Sequence, residues 1–137
     1  MVGLVVASHG RLADELVATA RQIVGDLPRV ATLSVEPQSS PDDIRNRMRE
    51  AVKSVDDGEG VLVFADLIGG SPCTQGLSLC QQARIEVVTG VNLPMLLKAN
   101  SLRTEVSLRD LAHQLAQYGQ KNITCASELL RARAPAA

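Results

Sequence analysis

The sequence predicts an α/β fold: a doubly wound, mostly parallel sheet of four parallel strands with helices on both faces. Four strand-length runs of mainly apolar residues alternate with segments whose apolar residues recur at helical spacing. This alternation is typical of parallel strands joined by crossover helices, whose central strands are buried on both faces. The chain has 137 residues, the length of a single domain with a substantial hydrophobic core.

The first half of the chain predicts two strand–helix units. The first strand ends at His9, and residues 29–35 form the second strand. Residues 39–43 mark the start of the second helix, since they offer a serine cap, a proline in the first turn and acids near the positive end of the helix dipole. The apolar face expected for the first helix is formed by Leu12, Leu16, Val17, Ala20, Ile23 and Val24, and that of the second by Ile44, Met48, Val52 and Val55.

The second half continues the alternation and then becomes helical. Residues 61–65 form a central strand that ends at Asp66. Ser71 is expected to cap the next helix, with Pro72 in its first position. The remaining predicted elements are that helix over residues 73–83, a strand over 85–89, a helix over 94–100, a helix capped by Ser107, a last short strand over 121–125 and an Ala/Pro-rich tail, disordered or a truncated linker, over 131–137.

Composition excludes several classes of function. The formal net charge is −1 and there are only two aromatic residues, Phe64 and Tyr118, so nothing favours binding to nucleic acid. No apolar segment approaches the ~18 residues of a membrane span, and no secretory leader is evident, so we expect a cytoplasmic protein. The three cysteines lack metal-ligand spacing and are expected to be small buried residues in a reducing compartment: Cys73, Cys80 and Cys125.

Two polar residues end neighbouring strands of the predicted sheet. If the first and third strands are parallel neighbours, His9 and Asp66 meet at the carboxyl edge, where α/β sheets bind ligands. A carboxylate bonded to one imidazole nitrogen fixes the tautomer and leaves the other nitrogen free as a nucleophile. Taken singly, His9 could equally be a solvated turn residue and Asp66 a turn or helix-capping residue.

A glycine-rich turn follows Asp66. Residues 69–72, Gly-Gly-Ser-Pro, can offer main-chain N–H groups to a phosphate at a helix N-terminus, although many such turns bind nothing. No nucleotide-binding loop is present and the cysteines lack metal-ligand spacing, so no cofactor and no metal are expected. Arg11 could steer a phosphate or be a solvated charge. His113 is expected on the exposed side of its helix, with a structural role.

Three segments together resemble a known family, the IIA domains of the mannose-type branch of the bacterial phosphoenolpyruvate:sugar phosphotransferase system. They are Val-Val-Ala-Ser-His-Gly at residues 5–10, Leu-Val-Phe-Ala-Asp-Leu-Ile-Gly-Gly-Ser-Pro at 62–72 and Val-Thr-Gly-Val-Asn-Leu-Pro-Met-Leu at 88–96. The resemblance implies that His9 is phosphorylated, that Asp66 is its hydrogen-bonding partner, and that Gly70 and Ser71 hold the phosphoryl oxygens. Thr74 departs from the asparagine that many relatives carry there.

The same resemblance implies the partners. Phosphate would come from the phosphocarrier HPr and pass to a IIB component for sugar uptake, so the membrane is reached only indirectly, through the IIC/IID permease. Family members are homodimers that exchange a last antiparallel strand, here residues 121–127. The IIA domain would cover residues 1–130, and the tail over 131–137 resembles a linker to IIB.

Three other functions remain open. A regulatory phosphoprotein of an incomplete phosphotransferase system would use the same histidine. The phosphotransfer subunit of dihydroxyacetone kinase shares the fold, although residues 90–95 fit the sugar branch better. A tetrapyrrole metal chelatase would need a second histidine at the facing strand end, where this chain has Asp66.

Overall fold

A computed structural model describes residues 1–67, 69–80 and 84–133 and contains one four-stranded parallel sheet. The strand order is β2-β1-β3-β4, and all three neighbouring pairs are parallel. The predicted parallel sheet is therefore confirmed. The strands are β1 (Gly3–His9), β2 (Val30–Val35), β3 (Val61–Ala65) and β4 (Ile85–Thr89).

Six helices occur in the described residues and cover both faces of the sheet. None of the described helices combines the length and the apolar character that crossing a bilayer requires. The helices are α1 (Leu12–Val24), α2 (Pro41–Val55), α3 (Ser71–Leu79), α4 (Leu93–Leu102), α5 (Leu108–Lys121) and α6 (Ala126–Arg133).

Alternation along the strands divides the core into two layers. Leu4 and Val6 of β1 lie in the layer that packs against α1, α4 and α5. Val5 and Ala7, which point to the opposite face, lie in the layer that packs against α2 and α3. Both faces of β1 are thus buried, as its uninterrupted apolar run predicted, and the doubly wound arrangement is confirmed.

Local sequence signals correctly predicted where two of the helices begin. The side chain of Ser40 accepts a hydrogen bond from the N–H of Asp43 at 3.1 Å, and that of Ser107 accepts one from Asp110 at 3.2 Å. These are the side-chain caps that the sequence predicted. All four residues expected on the buried face of α2 are buried: Ile44, Met48, Val52 and Val55.

The predicted buried face of α1 was only partly correct. Val17 and Ala20 are buried, but Leu12 is 49% exposed and Ile23 is 57% exposed. Ala13 is buried instead, because small residues let this helix lie close to the sheet. Alanine is only weakly hydrophobic, so the pattern of larger apolar residues predicted a buried face of α1 that is displaced by about one residue from the observed one.

Two further expectations were wrong. Ser71 does not cap α3: Gly70 holds the cap position, and Ser71 is already the first helical residue. Of the cysteines, Cys73 is buried, Cys80 is half-buried and Cys125 is exposed, so burial holds in full only for Cys73. The predicted end of the third helix, residues 81–83, lies outside the described residues.

The chain end also differs from the prediction. In this single chain, Lys121 ends α5 and no strand forms over residues 122–125. The predicted strand pairs with the sheet of a second copy of the chain, so the strand exchange stays a prediction. Residues 126–133 form α6 instead, because alanine, leucine, glutamate and arginine are strong helix formers. The first three residues of the predicted tail therefore belong to a helix, and residues 134–137 lie outside the described chain.

Candidate functional site

The site lies at the carboxyl edge of the sheet, where β1 and β3 end side by side. Ala7 pairs with Ala65 in the parallel register, so the residues that follow each of them leave the sheet side by side. Gly10 turns the chain after His9 with φ +57°, a conformation that favours glycine. The N–H of Gly10 donates to the carbonyl oxygen of Val35 at 3.0 Å and so ties this turn to the end of β2.

Asp66 holds His9 through two contacts to the same carboxylate oxygen. Oδ2 of Asp66 accepts a hydrogen bond from the main-chain N–H of His9 at 3.0 Å and lies 2.9 Å from Nδ1 of the ring. The other oxygen, Oδ1, accepts a bond from the N–H of Leu67 at 2.9 Å. The aspartate side chain is 11% exposed and the histidine 48%, so the carboxylate is enclosed while the ring reaches solvent.

These contacts keep the carboxylate ionised and select the tautomer of the neutral histidine. Burial by itself raises the pKa of Asp66, but the hydrogen bonds from the main chain and ring of His9, its positive charge and the N–H of Leu67 outweigh burial and lower that pKa below its usual value. The carboxylate is therefore ionised at neutral pH and can only accept hydrogen bonds. Nδ1 must then carry a ring hydrogen, and in the neutral ring the lone pair lies on Nε2, which has no hydrogen-bond partner among the described residues.

The start of α3 lies against this ring. A Cβ atom added to Gly70 would be 2.9 Å from Cε1 of His9 and 3.7 Å from Nε2. Ser71, the first residue of the helix, lines the same cleft as His9. The first N–H groups of a helix lack internal partners and favour an anion. Gly70 thus lies beside the ring of His9 and Ser71 shares its cleft, while their role as phosphate-binding residues stays a prediction.

A cleft of about 560 Å³ opens beside the histidine. None of its described lining residues is a lysine or an arginine, so an anion held there would depend on hydrogen-bond donors. The lining residues are His9, Gly10, Val35, Glu36, Pro37, Ser39, Ile44 and Ser71.

The other residues singled out in the sequence lie apart from this arrangement. Arg11 is 82% exposed and its guanidinium is 3.5 Å from the carboxylate of Glu15, which fits a solvated helix-start charge. His113 is exposed and lines a different cavity, between β4 and α5. Thr74 is exposed in the first turn of α3, where its N–H donates to the carbonyl oxygen of Gly70.

Ser8 is a structural contributor that the sequence reasoning missed. Its side chain is fully buried, and Oγ accepts a hydrogen bond from the N–H of Ala13 at 2.7 Å. This bond fastens the first turn of α1 to the end of β1 and so fixes the turn that carries His9. A hydroxyl immediately before a strand-to-helix turn was the available signal.

Comparisons with known proteins are consistent with this geometry. A family model described as the PTS system fructose IIA component matches residues 3–116. The PTS system fructose-specific EIIA component of Bacillus subtilis is 26% identical over 131 residues, covering 95% of this chain and 90% of that protein. The mannose-specific EIIAB component of Escherichia coli is 27% identical over 141 residues, and the match covers 99% of this chain but 44% of that protein.

A solved structure supports the same relationship. The crystal structure of a phosphotransferase system component EIIA from Streptococcus agalactiae superposes with a TM-score of 0.85 and 26% identity. The alignment covers 93% of this chain and 99% of that one. The likeness therefore extends over the sheet and the helices that surround the site.

Proposed function

Since this chain belongs to the mannose-type EIIA family of the phosphotransferase system, we propose that it is a phosphohistidine carrier that accepts a phosphoryl group on His9. The observation that carries the proposal is the His9–Asp66 pair, whose 2.9 Å contact at Nδ1 leaves Nε2 free beside the start of α3. Gly70 and Ser71 would receive the phosphoryl oxygens, through main-chain N–H groups and the serine hydroxyl.

The transfer itself follows from the protonation states. The lone pair on Nε2 forms a bond to phosphorus while the phosphorus–nitrogen bond in the donor breaks, and its electron pair returns to the donor nitrogen. The His9 ring then carries positive charge, because Nδ1 keeps its hydrogen. The ionised carboxylate of Asp66 stabilises this charge and holds the ring in place.

We propose HPr as the donor and a IIB component as the acceptor, in the cytoplasm, with sugar uptake through a IIC/IID permease as the outcome. The name of the Escherichia coli relative, a mannose-specific EIIAB component, supports a IIB acceptor. A second copy of this chain is the remaining partner. Exposed apolar residues in the last part of the described chain support a homodimer: Ile123, Leu129 and Leu130.

Labelling with phosphoenolpyruvate, enzyme I and HPr tests the carrier role. We expect an acid-labile, base-stable phosphate on the peptide that contains His9, and none in His9→Ala. His113→Ala is the matched control, because it removes the chain's other histidine and should keep the full label. Label that persists in His9→Ala, or no label with active upstream proteins, would refute the proposal.

The acceptor step separates transport from regulation. Labelled protein is mixed with a purified mannose-type IIB component, and the loss of phosphate from His9 is followed with time. Transfer to IIB within seconds supports transport. Retention of the label would favour the regulatory phosphoprotein, in which phosphorylation is itself the signal.

A further inference from the structure

The cleft beside His9 has a second wall that the proposed reaction does not use. This wall is the loop between β2 and α2, which brings Glu36, Pro37 and Ser39 to the cleft that also contains Ser71. The hydrogen bond between Gly10 and Val35 fixes the loop to the histidine turn. A group carried on Nε2 of His9 would therefore share the cleft with this loop.

Ser39 supplies the hydroxyl group of the second wall. Its Oγ accepts a hydrogen bond from the N–H of Glu36 at 3.2 Å, and its own N–H donates to the carbonyl oxygen of Glu36 at 3.0 Å. These bonds fix the hydroxyl oxygen. The hydroxyl hydrogen has no acceptor in the part of the chain that the structure describes, so it is available for donation into the cleft.

The described residues around the cleft leave neutral groups as the donors to a phosphoryl group there. A phosphoryl group is anionic, and the carboxylates of Glu36 in the loop and Asp66 behind the ring both repel it. No described ion pair engages Glu36. Since the described lining has no lysine or arginine, hydrogen bonds to the phosphoryl oxygens must offset this repulsion.

We propose that Ser39 is a second hydroxyl donor to the phosphoryl group on His9, acting from the loop wall of the cleft while Ser71 acts from α3. The inference rests on the proposed function, because it takes His9 as the residue that carries the group. A neutral hydroxyl stabilises the phosphoryl oxygens less than an arginine does, which suits a group that must be passed on.

Phosphoramidate, a small-molecule phosphoryl donor, tests the inference without any partner protein. Nε2 of His9 forms the bond to phosphorus, the bond from phosphorus to the ammonium nitrogen breaks with its electron pair staying on nitrogen, and ammonia leaves. Phosphorus-31 NMR then follows the ionisation of the phosphoryl group on His9 as the pH is raised. Any phosphate on exposed His113 gives a separate signal that serves as an internal reference.

We expect Ser39→Ala to raise the midpoint of the His9 phosphoryl titration by about half a pH unit, because a hydrogen bond to the more charged form favours that form. Ser39→Thr keeps the hydroxyl and should restore the wild-type midpoint. Ser40→Ala is the matched control in the same loop: Ser40 caps α2 through Asp43, so its loss should lower stability and leave the midpoint unchanged.

Several results would overturn the inference. One is an unchanged titration midpoint in Ser39→Ala, and another is a midpoint shift of equal size in Ser40→Ala or at the His113 signal. A third is a folded Ser39→Thr whose midpoint does not return to the wild-type value. The last is a wild-type protein in which His9 takes no phosphate from phosphoramidate. The proposed function fails by a different result, in which phosphoramidate labels His9 but phospho-HPr does not.

Discussion

At the scale of single residues, Asp66 is the group that would make His9 a directed nucleophile in the proposed reaction. Its Oδ2 contacts both the main chain and the ring of His9, so one carboxylate fixes the position, the tautomer and the charge balance of the histidine. The sequence could predict the meeting of the two residues, because parallel strands end at one edge. It could not predict the main-chain bond, which depends on the register of β1 and β3.

We expect Asp66→Asn to slow phosphoryl transfer to His9 by ~10²–10⁴-fold, the usual cost of losing a positioned acid–base partner. An amide can accept the Nδ1 hydrogen but cannot balance the positive ring that forms on phosphorylation. Rapid-quench labelling with phospho-HPr measures the rate, and circular dichroism checks that the fold persists. A wild-type rate in folded Asp66→Asn would remove Asp66 from the mechanism.

The same variant should also change the pH dependence of stability. The pKa of Asp66 is lowered on folding, so the carboxylate contributes stability above its ordinary value of 3.8 and loses it as the pH falls through the lower folded-state pKa. The difference in unfolding free energy between wild type and Asp66→Asn should therefore shrink in acid. Urea denaturation at several pH values measures it, and a constant difference would contradict the lowered pKa.

At the scale of elements, the start of α3 shows where local sequence signals stop being sufficient. Ser71 and Pro72 have the composition of a cap and a first helical residue, yet the helix begins one residue earlier, with Gly70 as its cap. The reason is a tertiary contact, since Gly70 leaves no side chain between the helix and the ring of His9. At Ser40 and Ser107 the serine side chains cap their helices, and there the local signals predicted the helix start correctly.

Gly70→Ala tests that contact. Its φ of −77° suits alanine, so we expect the chain to fold with little change in stability. The new methyl group would lie 2.9 Å from Cε1 of His9 and must displace the ring or the helix start, which should slow phosphorylation by about 10²-fold. Labelling kinetics measure this, with Ser78→Ala on the exposed side of α3 as the control. Equal rates in the two variants would mean that the ring tolerates the methyl group.

At the scale of the whole molecule, the carboxyl edge of the sheet contains the candidate site and the amino edge contains a buried hydrogen-bond network. The amino edge is fastened by Arg103, whose buried guanidinium donates to the carbonyl oxygens of Val2, Pro28 and Arg29. Burial, with the nearby charge of Arg29, lowers the pKa of Arg103 to about 10, so it is still protonated at neutral pH. No sequence pattern pointed to Arg103, because its three acceptors are main-chain atoms brought together only by the fold.

The oligomeric state depends on surfaces that a single chain leaves uncovered. None of the residues of α6 is buried; Leu129 is 57% and Leu130 is 74% exposed, and β4 has no strand on its outer side among the described residues. Exposed apolar side chains and an unpaired strand edge are each typical of an association surface. We expect a second copy of this chain to cover both features.

We expect the full chain to sediment as a dimer at micromolar concentration and the double variant Leu129→Ser, Leu130→Ser to sediment as a folded monomer. The fold should persist in the variant, because neither leucine contributes to the core of the single chain. Ile23→Ser is the matched control, since Ile23 is an equally exposed apolar residue (57%) on α1 and should leave the dimer intact. Analytical ultracentrifugation distinguishes the cases. A full-length chain that sediments as a monomer excludes the dimer, and loss of the dimer in Ile23→Ser as well would place the contact away from α6.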